Sequence, residues 1–176
     1  GTIYKGFLYA GLMIIDNEPF LIEYNVRMGD PECQTILPKL NSDFLQILES
    51  CVNENLEGIT FDWSDKKSLC VVLCSNGYPD KYEKNIEIEN YTKLKFDKNN
   101  YLFHAGTKKD NNKIFAVGGR VLNFISLSDN FYKAREKIHY YLKKLNWDKG
   151  FFRKDIGNKV IEKWELLEEI SRVKKF

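Results

Sequence analysis

LIEYNVRMGDPEC, Leu21 to Cys33, is the stretch on which the reading of this 176-residue chain turns. It begins apolar and β-prone, then becomes polar at Glu23, Asn25, Arg27, Asp30 and Glu32. Alternation along a strand puts Glu23 and Asn25 on one face, and Arg27 is expected to continue it. A carboxylate beside an amide oxygen suits a hard cation such as Mg²⁺, which takes oxygen ligands and keeps water and phosphate as the others. Arg27 offers a planar fork that pairs with phosphate or carboxylate. Gly29 lets the chain turn, and Asp30 and Glu32 add negative charge beyond it. A metal, a cation and carboxylates at one strand end are what phosphoryl transfer to a carboxylate needs. The same spacing also occurs on edge strands with a merely polar face, so spacing alone leaves both readings open.

Working outward, residues 7–15 (FLYAGLMII) and 20–26 (FLIEYNV) are apolar runs split by Asp16-Asn17-Glu18-Pro19. This turn chemistry predicts an antiparallel hairpin, with the first run a core strand. That strand opens the chain with no cap or helix before it, which suggests a fragment of a longer protein. Residues 42–56 carry Phe44, Leu45, Ile47, Leu48, Cys51, Val52 and Leu56 at helical spacing, with Ser42 or Asp43 as the cap. A polar stretch from Glu57 to Lys67 sets a domain boundary near residue 62. Beyond it strands are expected at 69–74, 101–105, 113–117 and 120–127. A helix then runs from Ser128-Asp129 to about Leu145 with Phe131, Ala134, Ile138, Tyr141 and Leu142 on one face. A last, highly charged helix is expected over 160–175. Strands and helices alternate without a βαβ rhythm, so the fold class is α+β. The Asn/Lys run Lys108 to Lys113 reads as a solvated loop.

Composition narrows the classes. Hydrophobic residues are 43% and charged residues 30%, which fits a globular chain. The net charge of +2 gives no bulk attraction to nucleic acid or membrane. No apolar run approaches the roughly 18 residues of a membrane span, and no signal peptide opens the sequence. Cys33, Cys51, Cys70 and Cys74 form no C-x-x-C pair, so neither a zinc site nor a disulfide framework is expected, and a reducing cytoplasm is. Cys70 and Cys74 read as small core residues of a strand.

Other candidates have blander readings. His104 follows Phe103 in a strand and is expected to be a hydrogen-bonded structural histidine rather than a base. Gly118-Gly119 lacks the pattern of a phosphate loop and reads as a turn or bulge. Tyr140-Tyr141 and Trp147 among lysines could stack nucleic-acid bases, but the near-neutral charge argues against it. Met13, a lone apolar residue on the first strand, is more often core than ligand-binding.

Resemblance adds to this reading. YKGFLYAGLM followed by LIEYNVRMGDPECQTILPKLNSDF resembles the ATP-grasp C-terminal segment of the phosphoribosylamine–glycine ligase (glycinamide ribonucleotide synthetase) family. Tyr24 and Met28 stand where the family pattern has Phe. Gly77-Tyr78-Pro79, Phe103 to Thr107 (FHAGT), Gly118 to Leu122 (GGRVL) and Phe151 to Gly157 (FFRKDIG) resemble later family motifs in the family's order. The match covers residues 4–157; residues 160–176 match nothing recognised.

The resemblance implies the distal part of an ATP-grasp domain (1–61), then a small C-terminal α+β domain (62–176). It implies Glu23 and Asn25 as ligands of Mg²⁺ (or Mn²⁺) against the phosphates of ATP, the co-substrate. Arg27 and Asp30 would line the substrate and phosphate side, and Met13 could meet adenine. Implied partners are glycine, 5-phosphoribosylamine, ATP and upstream ATP-grasp segments of the same enzyme, with neither nucleic acid nor membrane. The chain lacks a glycine-rich lid, so alone it is expected to be an incomplete portion. The alternative is a noncatalytic module that keeps ligase motifs for structure.

Overall fold

The computed structural model describes residues 1–163, so the expected helix over 160–175 lies almost wholly outside the described residues. Two compact units divide the chain after Ser64.

In the first unit, β1 (Tyr9–Ile15) and β2 (Glu18–Asn25) form the antiparallel hairpin. Its turn is shorter than the four-residue separator expected. Asp16 and Asn17 alone make it, both left-handed at φ 51° and 67°, the geometry that matches strand twist in two-residue turns. Glu18 and Pro19 belong to β2, and Pro19 faces Ile14. A two-stranded sheet has only edge strands, so the missing proline N–H is tolerated. The expectation that β1 is a core strand is not met within this chain: Leu12, Met13, Ile14 and Ile15 are all exposed. A short helix, α1 (Glu32–Ile36), follows, then α2 (Phe44–Val52). Asp43 caps α2, its Oδ1 accepting from the N–H of Leu45 at 2.8 Å and of Gln46 at 3.2 Å. Ser42 instead holds the N–H of Asp62 at 2.7 Å. The helix stops at Val52 rather than 56 because Glu54 turns left-handed at φ 58°. Phe7 stacks on Phe44, and Lys5 pairs with Glu54 at 2.8 Å.

In the second unit, β3 (Lys67–Ser75), β4 (Ile86–Glu87), β5 (Asn100–His104), β6 (Thr107–Asp110), β7 (Lys113–Ala116), β8 (Arg120–Ser128), α3 (Phe131–Leu145) and β9 (Gly150–Phe151) follow in order. They build a four-stranded sheet, β5-β8-β3-β9, and a three-stranded one, β4-β7-β6, all pairs antiparallel. Helix α3 packs on β3 and β8. Alternation sends Leu69, Val71, Leu73, Leu122 and Phe124 toward a core completed by Ala134, Ile138, Tyr141, Leu142 and Leu145. Cys70, Ile125 and Leu127 cluster separately. Both Cys70 and Cys74 are buried, as expected. Asn130 rather than Ser128 or Asp129 caps α3, accepting from the N–H of Lys133 at 2.8 Å, because Ser128 still belongs to β8. Left-handed Asn146 (φ 46°) ends it.

The loop expected at Lys108 to Lys113 is instead the β6–β7 hairpin, turned by left-handed Asn111 and Asn112. It is solvated, as expected, with Ile114 its buried apolar anchor.

Candidate functional site

The hairpin register sets the geometry at the polar end of β2. Gly11 lies opposite Glu23 and Tyr9 opposite Asn25, while Leu12 faces Leu21, leaving Ile22 as a bulge. A β-carbon on Gly11 would come within 3.3 Å of Glu23 Cγ, so the glycine leaves room for that side chain. Glu23 and Asn25 do meet, the Asn25 amide donating to Glu23 Oε1 at 2.9 Å. By alternation along β1, Met13 shares the face of Tyr9 and Gly11, where it pairs with Phe20; the two are 52% and 53% exposed.

The turn beyond β2 adds a second carboxylate. Gly29 is buried, and a β-carbon there would sit 2.2 Å from Glu32 Oε2, so only glycine lets that carboxylate lie against the backbone. Glu32 reaches Tyr9: its negative charge, more than burial, raises the phenol's pKa, with a side-chain hydrogen bond and Glu23 adding to the rise. Tyr9, Glu23, Asn25 and Glu32 therefore gather at one end of the hairpin. Sequence reasoning counted Glu32 only as charge and missed Tyr9, because the bulge at Ile22 that brings Tyr9 across from Asn25 leaves no mark in the sequence.

Arg27 and Asp30 are placed differently. The expectation that Arg27 continues the face of Glu23 and Asn25 does not hold, because β2 ends at Asn25 and Arg27 lies past it in a bend. Its guanidinium donates to the carbonyl of Met28 at 2.9 Å. Asp30 Oδ1 accepts from Gln34 Nε2 at 3.0 Å, at the start of α1.

Oxygen donors are what Glu23, Asn25 and Glu32 offer, which fits a hard divalent cation. Among the described residues no group of three or more His, Cys, Asp or Glu side chains is arranged to hold a metal. A cation here would thus rest on few protein ligands.

In the second unit, the later motifs converge at one end of the four-stranded sheet. Ser75 donates from its N–H to the Gly119 carbonyl at 2.8 Å and from its hydroxyl to the Gly118 carbonyl at 2.9 Å. The Gly106 N–H donates to the Arg120 carbonyl at 2.9 Å, and the Val117 N–H to the Gly106 carbonyl at 2.8 Å. Any β-carbon on Gly119 would strike the Tyr78 ring. Phe151 pairs with Cys74. Gly118-Gly119 is a bend leading into β8, as expected of a turn. His104 is hydrogen-bonded on both ring nitrogens, to the Tyr91 hydroxyl at 3.0 Å and to Thr107 Oγ1 at 2.8 Å. Burial lowers its pKa. Burial raises that of the Cys74 thiol, partly offset by Arg120, which disfavours the thiolate. No helix among the described residues is long and apolar enough to cross a membrane.

Residues 68–159 match the family model for the phosphoribosylglycinamide synthetase C domain, and residues 1–33 match that for the synthetase's ATP-grasp (A) domain. The chain is 43% identical over 155 residues to a phosphoribosylamine–glycine ligase of Fusobacterium nucleatum, covering 88% of this chain and 36% of that protein. A ligase of the same name from Caldanaerobacter subterraneus is 41% identical over 157 residues, covering 89% and 37%. The crystal structure of phosphoribosylamine–glycine ligase from Thermotoga maritima superposes with a TM-score of 0.64 at 31% identity, covering 85% of this chain and 36% of that one. The chain thus spans little more than a third of the length of these relatives.

Proposed function

The chain belongs to the phosphoribosylglycinamide synthetase family, as a C-terminal part of it, and from that premise we propose that it supplies the metal-binding side of an ATP-dependent ligase site. The reaction joins glycine to 5-phosphoribosylamine in purine biosynthesis. The glycine carboxylate attacks the γ-phosphorus of ATP; a P–O bond forms, the bond to the β-phosphate oxygen breaks, and ADP leaves. The amine of phosphoribosylamine then attacks the acyl carbon. A C–N bond forms, the C–O bond to phosphate breaks, the nitrogen loses a proton, and glycinamide ribonucleotide and phosphate remain.

The observation that carries this reading is the Glu23–Asn25 pair at the polar end of the hairpin, inside the stretch matching the ATP-grasp family model. Glu23 and Asn25 would hold Mg²⁺ (or Mn²⁺), with Glu32 adding charge nearby. The bound cation supplies neutralisation of phosphate charge. Arg27 would swing from the Met28 carbonyl to stabilise the transferring phosphoryl group. Asp30 would orient substrate or backbone from the start of α1, and Met13 would lie against adenine.

Residues 1–61 are assigned to the ATP-grasp portion and 62–176 to the C-terminal domain. The division after Ser64 supports that assignment. The preceding portion of the enzyme would cover the exposed apolar hairpin and bring the nucleotide lid. The site of action is the cytoplasm.

The decisive experiment is Glu23→Gln in the enzyme assembled with its preceding portion. The expected loss is about 10²-fold in kcat, because the ligand acts on transition-state charge. Activity within about twofold of the parent at all Mg²⁺ concentrations would remove Glu23 as a ligand. Arg27→Lys should lose nearly as much as Arg27→Ala, since lysine keeps the charge but not the fork. ADP release on glycine, phosphoribosylamine and MgATP by this chain alone should be absent. Turnover by the chain alone would mean that it holds a complete site, and the absence of Mg²⁺-dependent ATP binding, with the preceding portion present, would favour the noncatalytic module.

A further inference from the structure

The hollow beside His104 has no part in the ligase reading above. It measures about 560 Å³ and is lined by Tyr91, Thr92, His104, Thr107, Lys109, Asn112 and Ile114, all within the second unit. Its lining is basic and hydroxylic, with no carboxylate in it. Lys109 makes no ion pair among the described residues, although Lys113, four residues on, is held by Glu87 at 2.7 Å. The hairpin turn at Asn111 and Asn112 places the Asn112 amide at the rim.

His104 decides what its neighbours can offer. Its ring nitrogens contact the hydroxyls of Tyr91 and Thr107. A neutral imidazole donates at one nitrogen and accepts at the other. One of those two hydroxyls must therefore give its hydrogen to the ring, and the other keeps its hydrogen to donate elsewhere. Burial favours this neutral form. The hollow thus presents a hydroxyl, the Lys109 ammonium, the Asn112 amide and the Thr92 hydroxyl, with apolar Ile114 beneath them. Several donors, one uncompensated positive charge and no acidic group are the requirements of an oxyanion with room for an organic group attached.

We infer that this hollow is a binding site for a phosphate monoester, with Lys109 as its charged contact and the His104-linked hydroxyl as its neutral donor. The inference rests on the second unit alone, so it stands or falls apart from the role of Glu23 and Asn25.

The test is an NMR titration of the 176-residue chain at pH 7 with inorganic phosphate, with ribose 5-phosphate and with uncharged ribose. Both anions should shift the resonances of His104, Thr107, Lys109 and Asn112, and ribose should not. A tighter fit for ribose 5-phosphate than for phosphate supports a phosphate monoester as the occupant; equal affinities would leave only the free anion and overturn the inference. Lys109→Ala, an exposed substitution, should weaken binding about tenfold, as expected for one charge-assisted hydrogen bond. Thr107→Val should weaken it less and should also move the His104 ring signals, since it removes one hydrogen-bond partner of the imidazole. No shift from either anion, equal shifts from ribose, or unchanged affinity in Lys109→Ala would overturn the inference.

Discussion

The β1–β2 hairpin and the β3–β8 pair are equally apolar in sequence and opposite in burial. Along β8, Val121, Leu122, Phe124 and Ile125 are no more than 1% exposed; along the hairpin, Leu12, Ile14, Leu21 and Ile22 are 50% to 63% exposed. Strand propensity is common to both. What differs is the cover: the second unit carries its own helix, α3, over β3 and β8, whereas the hairpin is a two-stranded sheet whose apolar side chains face solvent. A lone hairpin is marginal in water, and edge strands that stay apolar invite pairing. An apolar run therefore says that a surface is to be covered, and not which segment covers it.

The sharpest way to break this contrast is Ile138→Ala. Ile138 is fully buried on α3, and its truncation should cost the second unit about 2–5 kcal/mol in denaturant unfolding. Cys70→Ala and Cys74→Ala should each cost about 1 kcal/mol, as modest losses from a packed strand, and should leave the proposed ligase activity untouched. A selective loss of activity with an unchanged melting temperature would make one of these thiols functional.

Acid should separate the units. The chain's two histidines, His104 and His139, both lie in the second. Burial lowers the pKa of each, and Arg135 and Lys154 lower that of His139 further. The His139 Nε2 is buried with no hydrogen-bond partner among the described residues. Because the unfolded chain protonates first, their contribution is whole above the ordinary value of 6.5 and is lost as pH falls from there through the lowered folded values. The melting temperature of the second unit should drop over that window. His139→Gln should flatten the drop; an unchanged pH profile in that variant would clear His139 of the effect. The smallest effect belongs to Ile14→Ala, within about 0.5 kcal/mol in this chain. In the assembled enzyme it should rise toward the cost of a core truncation. An equally small effect there would mean that the hairpin stays exposed.

Much of the fold could be read from the residues because its periods are strong. Helix α3 announced itself through Ala134, Ile138, Tyr141 and Leu142, β3 through the unbroken apolar run Leu69 to Cys74, and β8 through a mostly apolar run interrupted only at Asn123 and Ser126. Strand β6 could not be read, since Thr107 to Asp110 is polar on both faces and owes its pairing to Ile114 on the neighbouring strand. Strands β4 and β9, two residues each, are too short to show a period. At the candidate site, alternation brought Glu23 and Asn25 together but failed for Arg27, because nothing in the residues marks the end of β2 at Asn25. The approach of Tyr9 to Glu32 depends on a register containing a bulge at Ile22 and on the space that Gly29 leaves. Both are three-dimensional facts with no local sequence signal.

The two glycines that meet at the motif-bearing end of the second unit carry a genetic consequence. A β-carbon on Gly106 would lie 2.5 Å from the α-carbon of Gly118, and one on Gly118 would lie 2.9 Å from that of Gly106. Each residue is already as small as an amino acid can be, so a side chain gained on one side cannot be offset by a reduction on the other. A screen for revertants of Gly106→Ala should therefore return true reversions or changes in loop length, and never a second-site suppressor at position 118.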